Sequence, residues 1–297
     1  MTLVECVPNF SEGRDPAKID AIVEAIRSAG ATVLDRTSDH DHHRSVVTFA
    51  APAEIVGEAA FQAVRQAVES LDLRHHTGVH PRIGAADVVP LVPVRGVTLE
   101  DCARIAQSVG RRIWEELQVP VYLYEAAALR PECRNLADIR RGRVPLPDFG
   151  GPEHHASAGA VVVGARRFLI AFNVNLQTSD VAIARRIARA VRFSSGGLPH
   201  VKAMGVFLDS RNLAQVSMNL TDFEETPIHV AFEAVRAEAT RHGVGIAGTE
   251  IIGLVPERAL EMTAAWYLNV ENFTPGLILE ERLYNAPATA ARQTFER

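Results

Sequence analysis

Long apolar runs and cysteines are scarce in this sequence of 297 residues. No stretch of 18 consecutive apolar residues occurs, so no membrane span is predicted. The N-terminus has no basic segment followed by a long apolar stretch, so no signal peptide is expected. The three cysteines, Cys6, Cys102 and Cys133, are too widely spaced for a disulfide framework or a CxxC zinc motif. These features are typical of a protein in the reducing cytoplasm.

An excess of positive charge is also missing. The formal net charge is -5, so there is no electrostatic reason to expect a nucleic-acid partner. No GxSxG nucleophile elbow, Walker A loop or dinucleotide-binding fingerprint occurs. With 47% hydrophobic and 23% charged residues, the chain is an ordinary globular protein of one large domain or two smaller ones.

The most unusual stretch that is present is residues 74–90. It packs three histidines, two arginines, one aspartate, two glycines and two prolines into 17 residues. Glycine and proline punctuation predicts a loop with a fixed backbone, and imidazoles transfer protons near neutral pH. The apolar run 88–94 follows, and we expect it to be a strand that holds this loop rigidly.

The predicted elements repeat once along the chain. The succession of polar turn 35–44, strand 45–49 and helix 52–70 recurs as turn 209–212, strand 214–220 and helix 227–242. Both halves fit the β-α-β-β-α-β order of ferredoxin-like units. The sequence therefore predicts an α+β fold of two such subdomains, with mostly antiparallel sheets and helices on one face of each. A composition break near 177–180 divides them into residues 1–178 and 179–297, with a small-molecule cleft between them.

Eight of the 11 histidines lie in three polar loops, at positions 40, 42 and 43, at 75, 76 and 80, and at 154 and 155. One interpretation is a zinc site, in which His40, Asp41 and His42 combine with His76, His80 or His154. The spacing matches no specific zinc motif, since neither HExxH nor CxxC occurs.

The other interpretation is acid–base catalysis without a metal. One imidazole would take a proton from the nucleophile and return it to the leaving group. Asp39 and Asp41 would orient or stabilise the reacting centre, and arginines would bind substrate carboxylates. Composition alone indicates a linker at residues 150–159.

Several segments resemble the glutamate formimidoyltransferase family, folate-dependent enzymes of histidine breakdown. The matching segments span nearly the whole chain in family order: 4–13, 44–49, 80–88, 119–124, 164–176, 212–217, 219–220 and 222–224. The resemblance implies transfer of a formimidoyl group from N-formimidoyl-L-glutamate to N5 of tetrahydrofolate, which acts as co-substrate, with no metal.

The family also implies a substrate tunnel between two subdomains and a homodimer. The cyclodeaminase domain that is fused to the animal enzymes has no counterpart before Arg297. A separate cyclodeaminase is therefore expected to act next on the product, 5-formimidoyltetrahydrofolate.

The resemblance, together with the chemistry of the implied transfer, suggests roles for individual residues. His80 falls on the family's catalytic histidine, and Asp39 or Asp41 would stabilise the cationic formimidoyl group. His75 and His76 are left as surface residues. The expected substrate-binding residues are Asn9, His43 (commonly asparagine in the family), Arg44, Arg82, Asn173 and Asn175. The segment that lines the folate site in the family falls on Gly150, Gly151, Pro152, His154, His155, Ser157 and Gly159.

Three alternatives remain open from the sequence. A metal-dependent amidine or amide hydrolase would share the loops rich in histidine and aspartate. A non-catalytic folate-binding protein would bind tetrahydrofolate without releasing glutamate. The same transferase fold would also suit another donor, such as formimidoylglycine or a formyl compound.

Overall fold

The computed structural model describes residues 2–40, 42–78, 81–280 and 282. The strands in this part of the chain are β1 (Leu3–Cys6), β2 (Asn9–Phe10), β3 (Thr32–Asp39), β4 (Arg44–Ala51), β5 (Ala86–Arg95), β6 (Val121–Glu125), β7 (Val161–Ala165), β8 (Ile170–Leu176), β9 (Val201–Leu208), β10 (Leu213–Leu220) and β11 (Ile246–Ile252). The α-helices are α1 (Pro16–Ser28), α2 (Ala53–Ser70), α3 (Leu99–Leu117), α4 (Leu136–Arg140), α5 (Val181–Val191), α6 (Ile228–Arg241) and α7 (Glu257–Tyr267).

Local signals fix where the helices begin. Asp15 caps α1 by accepting a hydrogen bond from the Ala17 N–H at 3.0 Å, and Pro16 occupies the first helical position. A reciprocal capping box between Thr98 and Asp101 starts α3. Both starts carry capping residues that can be recognised from the sequence alone. Among the described helices, none combines the length and the apolar composition that a membrane span requires.

The first sheet has the order β3–β4–β1/β2–β5–β7–β6, with β1 and β2 both lying between β4 and β5. Its first strands pair antiparallel, but β5 and β6 each pair parallel with β7. The crossover through α3 returns the chain in the same direction, which produces this parallel edge. The prediction of mostly antiparallel sheets is thus wrong for this edge of the first sheet.

The second sheet is antiparallel throughout, in the order β11–β8–β10–β9. Its chain order is β8-α5-β9-β10-α6-β11. Apart from the two-residue strand β2, the first half begins β1-α1-β3-β4-α2-β5 and then continues through α3, β6, α4 and β7. The four strands of this shared pattern lie in the spatial order fourth, first, third, second in both halves. The repeated order of elements that the sequence predicts is therefore present, although residues 35–39 belong to β3 and not to a turn. The chain passes from the first sheet to the second between β7 and β8, so β8 lies in the second sheet although it precedes residue 179.

Helices cover one face of each sheet. The buried side chains of α1, α2 and α3 pack on the first sheet in one core. Those of α5 and α6, with Ala259 from α7, pack on the second sheet in another. A smaller cluster joins β6 and β7 to the segment around α4. The remaining faces of the two sheets are where a site can form.

Candidate active site

A cleft of about 1320 Å³ lies between residues of the two sheets. Strands β1 to β5 contribute one wall, and β8 to β11 contribute the other. Among the described lining residues, nine are arginine or lysine and five are aspartate or glutamate. The cleft is thus positive although the whole chain has a net charge of -5. Such a cleft concentrates anionic ligands.

A buried ion cluster anchors the wall formed by the first sheet. Arg44 Nη1 donates to Asp87 Oδ2 at 2.8 Å, and Arg44 Nε donates to Asn9 Oδ1 at 3.0 Å. Arg140 Nη2 donates to the same Asp87 oxygen at 2.5 Å, and the Ile83 N–H donates to Oδ1 at 2.8 Å. Asp87 is fully buried, so these bonds replace its hydration.

The electrostatics of this cluster keep Asp87 ionised. Burial alone would raise the pKa of Asp87, but the charges of Arg44 and Arg140 and the Ile83 N–H outweigh it and lower the pKa to about 2. Burial also lowers the pKa of Arg44, and Asp87 opposes that effect.

Polar side chains cover the cleft face of the second sheet. In register across three strands, Ser217 lies opposite Asn173, and Asn173 lies opposite Glu250. All three line the cleft. One pair further along, buried Asn175 donates through Nδ2 to Glu250 Oε1 at 2.8 Å, and Gln215 Nε2 donates to Asn175 Oδ1 at 2.8 Å. Asn173 thus lines the cleft, whereas Asn175 positions Glu250.

His43 lies in a network at the end of the first sheet. Its Nε2 contacts Glu12 Oε1 at 2.9 Å, and its ring stacks on His76 with centroids 4.0 Å apart. Burial would raise the pKa of Glu12, but hydrogen bonds from the Arg14 and Asp15 N–H groups and from His43 lower it overall. His43 does not line the cleft described by the structure.

His76 is partly buried, which contradicts its prediction as a surface residue. Its Nε2 donates to the His43 carbonyl oxygen at 3.0 Å. Burial is the main reason that the pKa of His76 is lowered, so its neutral form is favoured. His75, in contrast, is exposed as predicted. Of these two adjacent histidines, His76 therefore makes structural contacts and His75 is exposed to solvent.

Residues 150–159 pack against the segment that leads into β5. Gly159 forms a bridge with Gly84, and the Leu73 N–H donates to the Ser157 carbonyl oxygen at 2.8 Å. Gly159 has φ +70°, and a Cβ there would lie 2.1 Å from the Ile83 carbonyl oxygen, so glycine is required.

The rest of this loop is less enclosed. The Ala158 N–H donates to His155 Nδ1 at 3.1 Å, whereas Pro152 and His154 are exposed. Gly150 approaches Trp114. The described residues that line the cleft include none from 150–159. The loop adjoins the end of the first sheet and not the cleft wall.

The predicted site residues therefore separate into groups. Asn9, Asp39, Arg44 and Asn173 line the cleft together. At the rim of the cleft, Asp39 accepts a hydrogen bond from the His42 N–H at 2.7 Å. Arg82 Nη2 donates to the Gly78 carbonyl oxygen at 2.7 Å, outside the cleft lining. Asp41 and His80 lie outside the described residues.

Comparison with known proteins agrees with this architecture. Residues 3–166 match the family described as "Formiminotransferase domain, N-terminal subdomain", and residues 171–284 match "Formiminotransferase domain". The chain belongs to the formiminotransferase family. The predicted resemblance is thus confirmed. The two matched segments meet where the chain passes from the first sheet to the second.

Relatives in this family match over most of the chain. The glutamate formimidoyltransferase of Thermoplasma acidophilum is 46% identical over 300 residues, covering 96% of this chain and 99% of that protein. The one from Streptococcus pyogenes serotype M1 is 45% identical, over 91% and 95%. The formimidoyltransferase-cyclodeaminase of Rattus norvegicus is 43% identical over 94% of this chain but only 54% of its own length.

Several residues that line or anchor this cleft were not predicted from the sequence. Arg140 lies in residues 130–147, which carry no clear period, yet Asn135 caps the short helix α4 there through the Ala137 N–H. Asn135 is a typical N-cap residue, so the start of this helix could have been predicted from the sequence. In β10, polar Gln215 and Ser217 alternate with buried apolar residues. This spacing of two predicts a polar strand face and could have identified the second wall.

The zinc interpretation concerned His40, Asp41 and His42 with His76, His80 or His154. Across residues 2–40, 42–78, 81–280 and 282, no three His, Cys, Asp or Glu side chains are grouped to hold a metal ion. Asp41 and His80 are outside these ranges. Within them, His76 contacts His43, and His154 is exposed on the 150–159 loop.

Proposed function

We propose that this protein transfers the formimidoyl group of N-formimidoyl-L-glutamate to N5 of tetrahydrofolate, giving 5-formimidoyltetrahydrofolate and L-glutamate in histidine degradation. The positive cleft is the observation that supports this most directly. Both substrates carry glutamyl carboxylates, and nine cationic side chains against five anionic ones line the described cleft. The names of the relatives point to the same reaction.

We also propose that both halves are ferredoxin-like subdomains with a substrate tunnel between them. The shared strand order supports this, and the sheets favour a division near residues 166–170 over one at 178. A cytoplasmic homodimer, with a separate cyclodeaminase acting on the product, completes the proposal. The fused cyclodeaminase name of the longer relatives supports that next step.

The reaction exchanges one C–N bond for another. The N5 amine attacks the formimidoyl carbon, and N5 must lose its proton as the bond forms. His80 is proposed as the base that takes this proton. The same imidazole then protonates the glutamate nitrogen, whose bond to carbon breaks, so the proton count balances.

The formimidoyl group is amidine-like and cationic near pH 7, so a carboxylate would stabilise it. Asp39, at the cleft rim, and Asp41 are proposed for this role. Arg44 and Arg82 are proposed to bind carboxylates. His43 would act from the rim through its contacts with Glu12 and His76.

The residues present fit tetrahydrofolate as co-substrate. The amide and hydroxyl groups of Asn173 and Ser217 face the cleft from a sheet surface, where a flat pterin can lie and form hydrogen bonds. Asn9 and Asn175 would contribute by orienting Arg44 and Glu250. The 150–159 loop stays a proposed part of the folate site, supported by its bridge to Gly84.

A glutamate-release assay tests the reaction. With formimidoylglutamate alone we expect no release, and with tetrahydrofolate added we expect one glutamate per folate converted. Mass spectrometry of the folate product checks the transfer. Folate binding without any release would instead identify a non-catalytic binding protein. Formimidoylglycine and 5-formyltetrahydrofolate, supplied in place of the donor, measure donor preference in the same assay.

Dialysis against a chelator separates the transferase from a metal-dependent amidine or amide hydrolase. We expect the dialysed protein to keep its rate, because the proposed proton transfers use only side chains. A control sample receives excess Zn²⁺ after dialysis. A rate that falls with chelator and returns with Zn²⁺, together with glutamate release in the absence of tetrahydrofolate, would support the hydrolase.

A further inference from the structure

We propose that Arg44 and Arg140 form a clamp for a glutamyl carboxylate, and that buried Asp87 positions both arginines. The inference rests on the proposed function, and it adds two residues, Asp87 and Arg140, to the site. The ligand class is a planar carboxylate of the glutamyl moiety, either of the donor or of the folate tail.

The first argument is the charge balance of the cluster. One fully buried carboxylate, that of Asp87, contacts two guanidinium groups whose side chains are only 10% and 16% exposed. The positive charge of Arg82 also acts on Arg44. A buried group of ions with surplus positive charge is stabilised by an anion that completes it. The surplus therefore favours an anionic ligand at this position.

The second argument is the set of donors that remain. Arg44 uses Nε and Nη1 on Asn9 and Asp87, which leaves Nη2. Arg140 uses Nη2 on Asp87, and its buried Nε has no acceptor within the described part of the chain. A buried N–H without an acceptor is unfavourable, so a ligand oxygen there would be bound strongly.

The third argument is rigidity. Arg44 lies on β4, Asp87 on β5 and Arg140 on α4, and the two arginines share one oxygen of Asp87. Asn9 fixes the plane of the Arg44 guanidinium through Nε. Both arginines line the cleft. Planar guanidinium groups held side by side match the two oxygens of a carboxylate, which a lysine ammonium cannot do as well.

Direct binding tests the clamp independently of turnover. Glutarate serves as the dicarboxylate probe and 5-formyltetrahydrofolate as the folate probe, with calorimetry as the readout. In Arg140→Met we expect the Kd of one probe to rise about 10- to 100-fold, as for loss of a charged hydrogen bond. Arg143→Met is the matched control, because it removes a nearby positive charge from an exposed side chain that pairs with Asp138 outside the clamp. It should leave both Kd values unchanged.

The two probes distinguish the sources of the carboxylate. If the Kd of glutarate rises in Arg140→Met, with a matching rise in the KM of formimidoylglutamate, the clamp binds the donor. If only the Kd of the folate probe rises, the clamp binds the folate tail. Unchanged Kd values for both probes in folded Arg140→Met would overturn the clamp, even if glutamate release confirms the transferase. Conversely, a clamp that binds glutarate in a protein without turnover would leave the binding site standing and refute the proposed reaction.

Asp87 has its own readout as a positioning residue. The measurement is made at a temperature where circular dichroism shows that Asp87→Asn is folded. There, the Kd of Asp87→Asn for the affected probe should rise to a similar extent as that of Arg140→Met. The double variant Asp87→Asn/Arg140→Met should bind the probe little more weakly than either single variant, because both changes remove the same arrangement. Arg140→Lys keeps the positive charge but loses the planar guanidinium with its several N–H donors. Its Kd is expected to lie between those of the wild type and Arg140→Met. Fully additive effects in the double variant would contradict positioning by Asp87.

Discussion

Replacing His80 with alanine is expected to lower kcat for glutamate release by about 10²–10⁴-fold, the range typical for loss of a general acid–base. Binding of 5-formyltetrahydrofolate should stay unchanged, because the imidazole is proposed to act on protons and not to hold the folate. Stopped-flow or coupled measurement of glutamate release, with calorimetry for binding, checks both quantities.

The described residues that flank His80 in sequence make close contacts. Arg82 Nη2 donates to the Gly78 carbonyl oxygen at 2.7 Å, which ties these two residues together. A Cβ on Gly78 would lie 2.6 Å from the His42 carbonyl oxygen, so Gly78 passes close to His42. His75→Ala is the control, because His75 is exposed and should keep the wild-type rate. Near-wild-type turnover by folded His80→Ala would refute the assignment.

Replacing Asp87 with asparagine is expected to lower the free energy of unfolding by about 3–5 kcal/mol at pH 7, the usual cost of breaking a buried ion pair. Asparagine keeps the shape but leaves Arg44 and Arg140 without their shared anion. Urea unfolding followed by circular dichroism measures the change. Asp20→Asn, at an exposed carboxylate, should stay within about 0.5 kcal/mol.

The pKa of Asp87 also predicts how the free energy of unfolding changes with pH. The pKa of Asp87 falls from 3.8 to about 2 on folding, so its ionised form favours the folded state. That contribution is fully present above the unfolded pKa and is lost as the pH falls from about 5 towards 2. Its size is about 2 kcal/mol, from 1.36 kcal/mol per pKa unit. The wild type should lose this part of its stability on acidification, whereas Asp87→Asn should not. Equal acid sensitivity in both proteins would contradict the assignment of the low pKa to Asp87.

Local sequence signals predicted much of the fold. The caps at Asp15 and Thr98 are decided by neighbouring residues, so they are readable without tertiary structure. The repeated order of elements was readable for the same reason, since each polar turn and helix carries its own pattern. The parallel edge formed by β5, β6 and β7 was not readable, because strand direction there depends on a crossover of tens of residues.

The sequence predicted those residues of the candidate site that are polar and lie at the end or on one face of a predicted strand. Asn9, Asp39, Arg44 and Asn173 are polar residues at strand ends or on a strand face, and all four line the cleft. Their roles stay predictions, as do those of Asp41 and His80. Arg140 was missed because its bond to Asp87 spans 53 positions in sequence, and no local pattern reports such a contact. The burial of His76 likewise depends on His43, 33 residues away.

The two apolar cores share no buried side chain, since one uses residues up to Ala165 and the other begins at Ile170. Each core is therefore complete within its own sheet and helices, and Phe168 of the connection packs on the second core. Relative motion of two such units is the default expectation unless the interface between them is large and apolar. A ligand that contacts both walls of the cleft at once would stabilise one arrangement of the two halves over others. The stability of each core is set by its own buried side chains.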